Sequence, residues 1–391
     1  MTQRHHGVLV NEIASLIRAT TKVTVAVGVV CTADDADDSI FPLNAPVLIS
    51  RASDYLDRAG TTGTLRRTLK SISEQCEPQL VVVRVAEAES GEEQEERVIG
   101  GTDEEGRYTG LYALLAADTS PRCGVAPRIL AAPGLDTAAV ADALGVIARK
   151  LRGFAYVSAW GCKTVAEAKA YRDQFDAREL MVIWPDWIVT GETATTFVTV
   201  PATAYAVGMR AYIDATQGWH KSLSNVAVSG VAGISRDVSW NLLDTDTDAD
   251  ELNRADVTTL IKHDGFRFWG NRTCDRTETY VFEVYTRTAQ LLSMMVAETH
   301  MAYIDKPLTP SLVKDVVDSI NAQGQALVTN GQLLGFECWY ESKDNPVEKL
   351  REGRAHIRYK YTPVPPLECL ELTQEFTDEY FATFSKSGEE G

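Results

Sequence analysis

Apolar runs and helical periods alternate along the chain from residue 23 onward. Residues 23–30, 80–85 and 180–184 are apolar stretches with the length of buried strands. Between them, residues 64–75 and 137–151 carry large apolar side chains at three- and four-residue spacing, which predicts amphipathic helices. Strands that alternate with helices of this length predict βαβ units and an open, largely parallel sheet, which is an α/β arrangement.

The other elements of this α/β part are predicted to be short. Strands are expected near residues 47–50, 128–132 and 154–159, and helices near residues 165–175 and 202–213. The Glu-rich stretch 87–96 has no apolar period, so we interpret it as a solvated loop. Residues 218–239 are rich in small and polar side chains and predict loops with short strands.

The last third of the chain predicts an α+β arrangement. Valine, leucine and methionine recur at helical spacing over residues 281–304, which predicts one long helix. Thr309 and Pro310 then suit the N-cap and the first position of a second long helix. Two strands are expected after it, near residues 333–341 and 354–361.

Strict alternation of apolar and polar residues marks two segments near the C-terminus. In residues 354–361 the apolar positions are Ala355, Ile357, Tyr359 and Tyr361, and the basic positions are Arg354, His356, Arg358 and Lys360. In the C-terminal segment, Leu370, Leu372 and Phe376 share one face, and Glu371, Thr373 and Glu375 share the other. Such alternation is typical of a strand with one buried and one polar face. At the other end of the chain, the β-like run Val8, Leu9 and Val10 resembles an extended arm rather than a piece of core.

Charge and composition exclude several classes of function. The formal net charge is −17, which disfavours a nucleic-acid-binding protein because such proteins carry a basic footprint. The longest apolar run, at residues 23–30, is too short to cross a bilayer, and no secretory signal is recognised. We therefore expect a soluble protein that is made in the cytoplasm. The seven cysteines form no C-x-x-C pair, so neither a disulfide framework nor a zinc site is expected.

An α/β sheet also invites an enzyme hypothesis, with a Rossmann-like fold as the alternative. A phosphate-binding loop needs a set of glycines after a strand, and the nearest approach, at residues 60–63, lacks the third glycine and the lysine. The chain has no G-x-S-x-G run for an exposed nucleophile and no two histidines at the i, i+4 spacing of a zinc site. We accordingly predict no catalytic residues, no metal ligands and no cofactor.

Three long segments resemble the contractile tail sheath family of myovirus-type phages and R-type pyocins. They are residues 218–225 (GWHKSLSN), 264–273 (DGFRFWGNRT) and 362–368 (TPVPPLE). The shorter segments 6–8, 132–136 and 182–186 fit the same family. The similarity runs nearly from end to end in one order, and a run such as GFRFWGNRT is unlike a chance match.

This resemblance implies a structural subunit and not an enzyme. Sheath subunits polymerise around a tail tube in an extended, metastable state, and contraction drives the tube through a cell envelope. The implied partners are other copies of the chain, the tail tube protein, and baseplate and tail terminator proteins, with no nucleic acid and no direct membrane insertion. The implied location is the tail of a virion or a phage-tail-like particle, assembled in the host cytoplasm. A type VI secretion-type sheath stays open as an alternative.

The resemblance also implies a domain plan and terminal arms. We expect an N-terminal linking arm at residues 1–22, an outer α/β part at 23–255, an inner tube-facing domain with a small sheet at 256–366, and a C-terminal linking arm at 367–391. The expected arm residues are Val8, Leu9, Val10, Leu370, Glu371, Leu372, Glu375 and Phe376, and the expected arm-accepting strand carries Ile357, Arg358, Tyr359 and Lys360. The open alternative is that the chain from residue 367 onward forms a strand in its own subunit's sheet.

Two further groups of residues receive expected roles. The polar face of the helix that follows Pro310 is expected to meet the tube through Lys314, Asp315, Asp318 and Asn321. A junction between the outer and inner domains is expected at Phe266, Arg267, Trp269 and Arg272, with the aromatic rings packed and the arginines bound to carbonyls or carboxylates. An anion site formed by the two arginines is the open alternative for this group.

Overall fold

The computed structural model describes residues 25–191 and 195–381. The chain divides into two compact units, the first ending at Ile304 and the second beginning at Asp305. The predicted N-terminal arm with Val8, Leu9 and Val10 lies outside the described residues, as do the last residues of the C-terminal arm, 382–391. Among the described residues, no helix combines the length and the apolar character that a membrane crossing requires.

The first unit contains most of the strands. In chain order they are β1 (Ala26–Thr32), β2 (Val47–Ile49), β3 (Leu80–Val85), β4 (Pro127–Ala131), β5 (Phe154–Ser158), β6 (Leu180–Ile183), β7 (Trp187–Thr190), β8 (Phe197–Val200), β9 (Ala227–Val228), β10 (Gly233–Ile234), β11 (Val257–Lys262) and β12 (Phe266–Trp269). Its main sheet has the strand order β2-β3-β1-β4-β5-β6-β11-β12-β9. The pairs from β3 to β11 are parallel, whereas β2, β12 and β9 join antiparallel at the two sides. Strands β10, β7 and β8 form a separate small antiparallel sheet.

Helices connect and cover these strands. They are α1 (Leu65–Ser73), α2 (Gly91–Ile99), α3 (Ala138–Leu151), α4 (Val165–Arg172), α5 (Ala202–Thr216), α6 (Asp248–Arg254) and α7 (Glu283–His300), with 3₁₀ turns at Ala52–Arg58, Gly110–Ala116 and Met301–Tyr303. Side-chain caps mark the first residues of several of these helices. Thr137 caps α3, and Thr164 forms a capping box with Glu167 at the start of α4.

Both faces of the main sheet are buried. Along β1, Val27 and Val29 belong to one apolar cluster, which also contains residues of α1 and α5, whereas Ala26 and Val30 belong to a second cluster with residues of α3. A strand whose successive side chains enter two cores must be apolar throughout, which explains the unbroken apolar runs. The predicted α/β fold with an open βαβ sheet is confirmed.

Two parts of the first unit differ from the expectation. Residues 91–99 form helix α2 and not a loop: Ser90 caps it, and Val98 is its one buried side chain, so an apolar period is absent although the helix exists. Strand β11 pairs with β6 and β12 pairs with β11, so the main sheet continues beyond residue 255. The compact units consequently divide at Ile304, well after the boundary that the sequence suggested at residues 255 and 256.

The second unit has a simple α+β arrangement. It consists of α8 (Pro310–Thr329), β13 (Leu333–Tyr340), a 3₁₀ turn at Ser342–Asp344, α9 (Val347–Arg351), β14 (Ile357–Pro363) and a 3₁₀ turn at Glu379–Phe381. Thr309 caps α8 by accepting from the backbone N–H of Leu312, and Pro310 occupies the first turn, as the sequence predicted. The helix and the two strands predicted for this region are confirmed to within a few residues.

Candidate assembly interface

The centre of the second unit is an antiparallel pair of strands. Cys338 of β13 lies opposite Tyr359 of β14, and Phe336 lies opposite Tyr361. The residues of β14 alternate between half-buried and exposed along its whole length, as the sequence pattern requires. The rings of Phe336 and Tyr359 stack with centroids 5.7 Å apart.

Helix α8 covers the outer edge of β13 through two amide side chains. The Asn321 side chain donates to the carbonyl of Cys338 and accepts from its N–H, both at 2.7 Å. Gln325 donates to the carbonyl of Phe336 at 2.8 Å. These bonds satisfy backbone groups that face away from β14, so they close this edge of the sheet to another strand.

The opposite edge of the small sheet is formed by β14. In the part of the chain that the structure describes, this sheet contains β13 and β14 alone, which leaves the outer edge of β14 without a neighbouring strand. The edge contains the residues expected to accept an arm: Ile357, Arg358, Tyr359 and Lys360. An open edge is a template for strand addition by another chain.

The basic side chains of β14 have acidic partners inside the subunit. Arg358 binds Asp344 with two hydrogen bonds, and this contact lowers the pKa of the Asp344 carboxyl. Lys360 lies 2.6 Å from Glu337, the residue directly opposite on β13. The sequence alternation suggested that these cations face Glu371 and Glu375 of an arm. For that contact to form, Arg358 and Lys360 must be shared with Asp344 and Glu337 or released from them.

The C-terminal segment leaves the sheet at Pro363. Residues 364–378 form no strand and no helix, so the first part of the predicted arm does not pair with its own subunit's sheet. Its apolar side chains are strongly exposed: Leu370 by 66%, Leu372 by 82% and Phe376 by 89%. Glu371 and Glu375 are exposed as well. Apolar side chains that repeat in an exposed segment indicate an interaction surface.

The residues expected to face the tube do not all lie on one surface. Lys314, Asp315 and Asp318 are exposed on α8. Asn321 is half-buried and is bound to Cys338, so its assignment to an outward polar face is wrong. The helical period places these polar residues together on α8. At the boundary of this polar face, however, the Asn321 side chain binds the edge of β13 and does not face outward.

The four residues of the expected junction lie in the first unit, on or just after β12. Arg267 donates to the carbonyls of His263, Asn225 and Asp264 at 2.8, 3.1 and 3.2 Å. Arg272 lies 3.6 Å from Asp256 and over the ring of Phe282. Phe266 packs edge-on against Trp187 with centroids 5.8 Å apart, and Trp269 packs against Trp240 at 5.5 Å. These contacts hold the β12 edge of the main sheet, and the arginines already have oxygen partners.

A buried group of charges in the first unit was not predicted. Arg210 and Asp214 of α5 meet Glu283 and Arg287 of α7, and Tyr156 of β5 donates to Glu283. Arg210 lies 3.3 Å from Glu283, and Arg287 donates to Asp214 at 2.8 Å. The signal in the sequence is a pair of opposite charges at i, i+4 spacing within each of the two helices.

The pKa shifts in this cluster follow from the balance between burial and the neighbouring charges. Burial raises the pKa of the Asp214 carboxyl, but Arg210 and Arg287 outweigh burial, and the net pKa lies below the ordinary value. Burial and the neighbouring Glu283 both raise the pKa of Tyr156. The two arginines and the two carboxyl groups are paired in the core, where they tie α5, α7 and the central strand β5 together.

Comparisons with known proteins identify the family. Residues 24–85 match the family model described as "Tail sheath protein Gp18 domain III N-terminal region", residues 106–274 match "Phage tail sheath protein central domain", and residues 275–377 match "Phage tail sheath C-terminal domain". The chain is 51% identical to the tail sheath protein of Escherichia phage P2, over 99% of each chain. It is also 51% identical to the major tail sheath protein of Serratia phage KSP20, over 98% of each.

Solved structures with the same fold come from contractile assemblies. The helical sheath of the anti-feeding prophage in its contracted state has a TM-score of 0.69 at 17% identity, over 96% of this chain and 100% of that one. The PVC sheath complex of an extracellular contractile injection system, also contracted, has a TM-score of 0.69 at 16% identity, over 97% and 99%. The chain belongs to the phage tail sheath family and is a contractile tail sheath subunit.

Proposed function

We propose that this subunit polymerises around a tail tube in an extended, metastable state, and that contraction of the polymer drives the tube through the envelope of a target cell. Its partners are other copies of itself, the tail tube protein, and baseplate and tail terminator proteins. The subunit assembles in the host cytoplasm and acts in the tail of a virion or of a phage-tail-like particle. The work comes from contacts between subunits, with no catalysed reaction and no cofactor.

The observation that carries this proposal is the pairing of an open strand edge with an exposed apolar segment. The outer edge of β14 has no neighbouring strand among the described residues, and the segment around Leu370, Leu372 and Phe376 buries none of these side chains well. Neither feature is favourable in an isolated subunit, because an open strand edge and exposed apolar side chains both favour association. A contact in which one copy donates the segment and another accepts it is heterologous, and heterologous contacts build rings or, where the rotation does not close, helical polymers.

The role of the arm is tested by deleting residues 367–391. We expect a folded monomer that no longer forms tubes in electron micrographs. The matched control is a deletion of residues 382–391, which keeps the alternating segment and is expected to leave tubes intact. Normal tubes from the longer deletion would contradict the arm, and an insoluble product would indicate that the segment is needed for the subunit's own fold.

The contact with the tube is proposed for the exposed face of α8, which carries Lys314, Asp315 and Asp318. Exposed ion pairs contribute about 0–1 kcal/mol each, which suits a contact that must release when the sheath contracts. Replacing Asp315 and Asp318 together by lysine is expected to give sheath-like tubes that no longer enclose the tail tube. The double replacement by asparagine is the milder control, and normal filled tails with the lysine variant would contradict the assignment.

A further inference from the structure

Helices α1 and α2 of the first unit carry exposed charges of opposite sign. The chain has a formal net charge of −17, yet the charged side chains of α1 are all basic, and all are exposed: Arg66, Arg67 and Lys70. We call them the basic face. The exposed charged side chains of α2 are all acidic, and we call them the acidic face: Glu92, Glu93 and Glu96. Both sets have the spacing i, i+1, i+4, so each forms one compact group on its helix.

The main sheet separates the two faces. On the inner side of α1, Leu65, Leu69 and Ile72 belong to the apolar cluster that also contains residues of α5. Val98, the buried side chain of α2, belongs to the cluster on the other side of the sheet, together with residues of α3. The basic face and the acidic face therefore lie on opposite sides of the main sheet, and they cannot meet within one copy of the chain.

Half of these charges have no ionic partner inside the subunit. No oppositely charged side chain of the described residues lies within 4.0 Å of Lys70, Glu92 or Glu96. Like charges four residues apart on a helix repel each other, and both helices contain such a pair. Arg66 precedes Lys70 by four residues, and Glu92 precedes Glu96 by four. An opposite charge from outside the subunit would relieve this repulsion on each helix.

Two of the other charges have partners that do not cancel the faces. Arg66 lies 3.9 Å from Asp57, and Glu93 lies 2.5 Å from Arg97 on its own helix. With these partners included, the basic face still has an excess of cations and the acidic face an excess of anions. Both faces thus remain available for a contact with a surface of opposite charge.

We propose that the basic face of α1 in one copy of the chain docks against the acidic face of α2 in a second copy. This inference rests on the proposed function, because it requires copies that polymerise, and it adds a contact between their first units. The contact is heterologous. Each copy has one face of each sign, so it can bind one neighbour on each side of its main sheet, and the contact can repeat along a polymer.

A contact of this kind determines the orientation of neighbouring copies. A copy that is turned over brings two faces of like charge together, which is unfavourable, so the charges select one direction along the polymer. Exposed ion pairs are individually weak and are screened by salt. The contact can consequently separate in water, without exposing apolar surface, when the sheath contracts.

Separate charge reversal of the two helices tests the contact. One variant combines Arg66→Glu, Arg67→Glu and Lys70→Glu, and the other replaces all three glutamates of the acidic face by lysine. Each variant alone brings two faces of like charge together. We expect the concentration required for tube formation to rise by about tenfold or more in each case. Thermal unfolding checks that both variants are folded, which is expected because the six positions are exposed.

Mixing the two variants measures whether the faces belong to different copies. In the mixture, the reversed α1 of one variant meets the reversed α2 of the other, and the remaining contacts join unchanged faces of opposite sign. We therefore expect the equimolar mixture to form tubes near the wild-type concentration, with both variants in each tube. A chain that carries all six reversals is also expected to assemble, but not to co-assemble with the wild type.

The matched control changes the net charge by the same amount away from both faces. It replaces three exposed carboxylates that have no basic partner within 4.0 Å among the described residues by lysine: Asp118, Asp237 and Glu278. This variant is expected to form tubes near the wild-type concentration. An equal loss of assembly in the control would show that net charge, and not the two faces, controls tube formation, and would overturn the inference.

Failure of this contact differs from failure of the proposed function. If wild-type tubes form but the single variants assemble equally well, or the mixture does not recover assembly, the contact between α1 and α2 is wrong and polymerisation stands. Normal but empty tubes from the α1 variant would assign the basic face to the tail tube and likewise overturn the inference. If the wild type forms no tubes, polymerisation itself is wrong, and the contact is wrong with it.

Discussion

Asn321 and Cys338 form a two-way hydrogen bond in which one side chain takes the place of a neighbouring strand. The amide donates to the Cys338 carbonyl and accepts from the Cys338 N–H, each at 2.7 Å. An asparagine is one of the few side chains that can satisfy both groups at once, because it carries a donor and an acceptor on the same planar group. The contact leaves β14 as the open edge of the small sheet, and it fixes the position of α8.

Replacement of Asn321 by aspartate is expected to destabilise the second unit. The carboxylate still accepts from the Cys338 N–H, but it cannot donate, so the Cys338 carbonyl loses its partner next to a negative charge. A buried acceptor without a partner costs about 1–3 kcal/mol, measured as the free energy of unfolding in denaturant. Asp318→Asn, an exposed change on the same helix, is the control and is expected to stay within about 0.5 kcal/mol of the wild type.

Gly324 allows α8 to approach the ring of Phe336. A Cβ at this position would lie 1.9 Å from the Cδ1 atom of Phe336. Alanine improves helix propensity by about 1 kcal/mol, but overpacking costs about 1–3 kcal/mol, so we expect Gly324→Ala to destabilise the unit in thermal unfolding. Adding Phe336→Leu is expected to recover part of the loss.

The control for this prediction is Gly335→Ala, because no atom lies within 4 Å of a Cβ added at Gly335. That change is expected to leave the melting temperature unchanged or slightly higher. A Gly324→Ala subunit as stable as the wild type would show that the ring moves aside freely, and the contact would then not determine how α8 packs.

The second unit was predictable because its sequence signals agree with its tertiary contacts. Three local features of the sequence were retained in the packed structure. They are the cap at Thr309, the helical period that follows it and the alternation in β14. The role of Asn321 was not predictable from the same signals. Whether a polar residue at the border of a helix face binds solvent or a strand edge depends on the neighbouring strand, which no local pattern reports.

The first unit shows where local patterns fail. Helix α2 buries Val98 and little else, so its Glu-rich sequence carries no apolar stripe although Ser90 caps it. Strand β11 joins the main sheet from far along the chain, and the pattern gives no sign of the strand beside which it lies. The family resemblance predicted a contractile tail sheath subunit correctly, but it did not predict that the first compact unit ends at Ile304.

Asp136 is expected to make stability fall as the pH rises. Its carboxyl is buried and accepts from the N–H and the hydroxyl of Ser158 at 2.7 and 2.9 Å, and burial raises its pKa to about 6. Between its pKa in the unfolded chain and about 6, the folded state binds more protons, so the free energy of unfolding decreases with pH in this window. The decrease is on the order of 2–3 kcal/mol.

The measurement compares Asp136→Asn with the wild type in denaturant at about pH 4.5 and about pH 6.5. The difference in stability between the two pH values is expected to be less negative in the variant, because asparagine does not titrate. Since other groups change both proteins equally, the comparison isolates this carboxyl. Parallel profiles for the two proteins would contradict the assignment of the titration to Asp136.

The buried charge cluster is expected to be the most sensitive part of the first unit. Arg287→Met leaves Asp214 with Arg210 as its remaining cation among the partners described here, and one unbalanced charge stays in the core. Breaking a buried pair from one side costs about 3–5 kcal/mol, whereas removing both charges together costs less. We therefore expect Arg287→Met to lower the free energy of unfolding by that amount and Asp214→Asn with Arg287→Met to recover part of it. The coupling energy from the double-mutant cycle is expected to exceed about 1 kcal/mol.

The control is Arg51→Met, which removes an exposed pair with Asp54 at 3.9 Å and is expected to cost less than about 1 kcal/mol. Equal losses for the buried and the exposed arginine would show that the cluster does not hold α5 and α7 together.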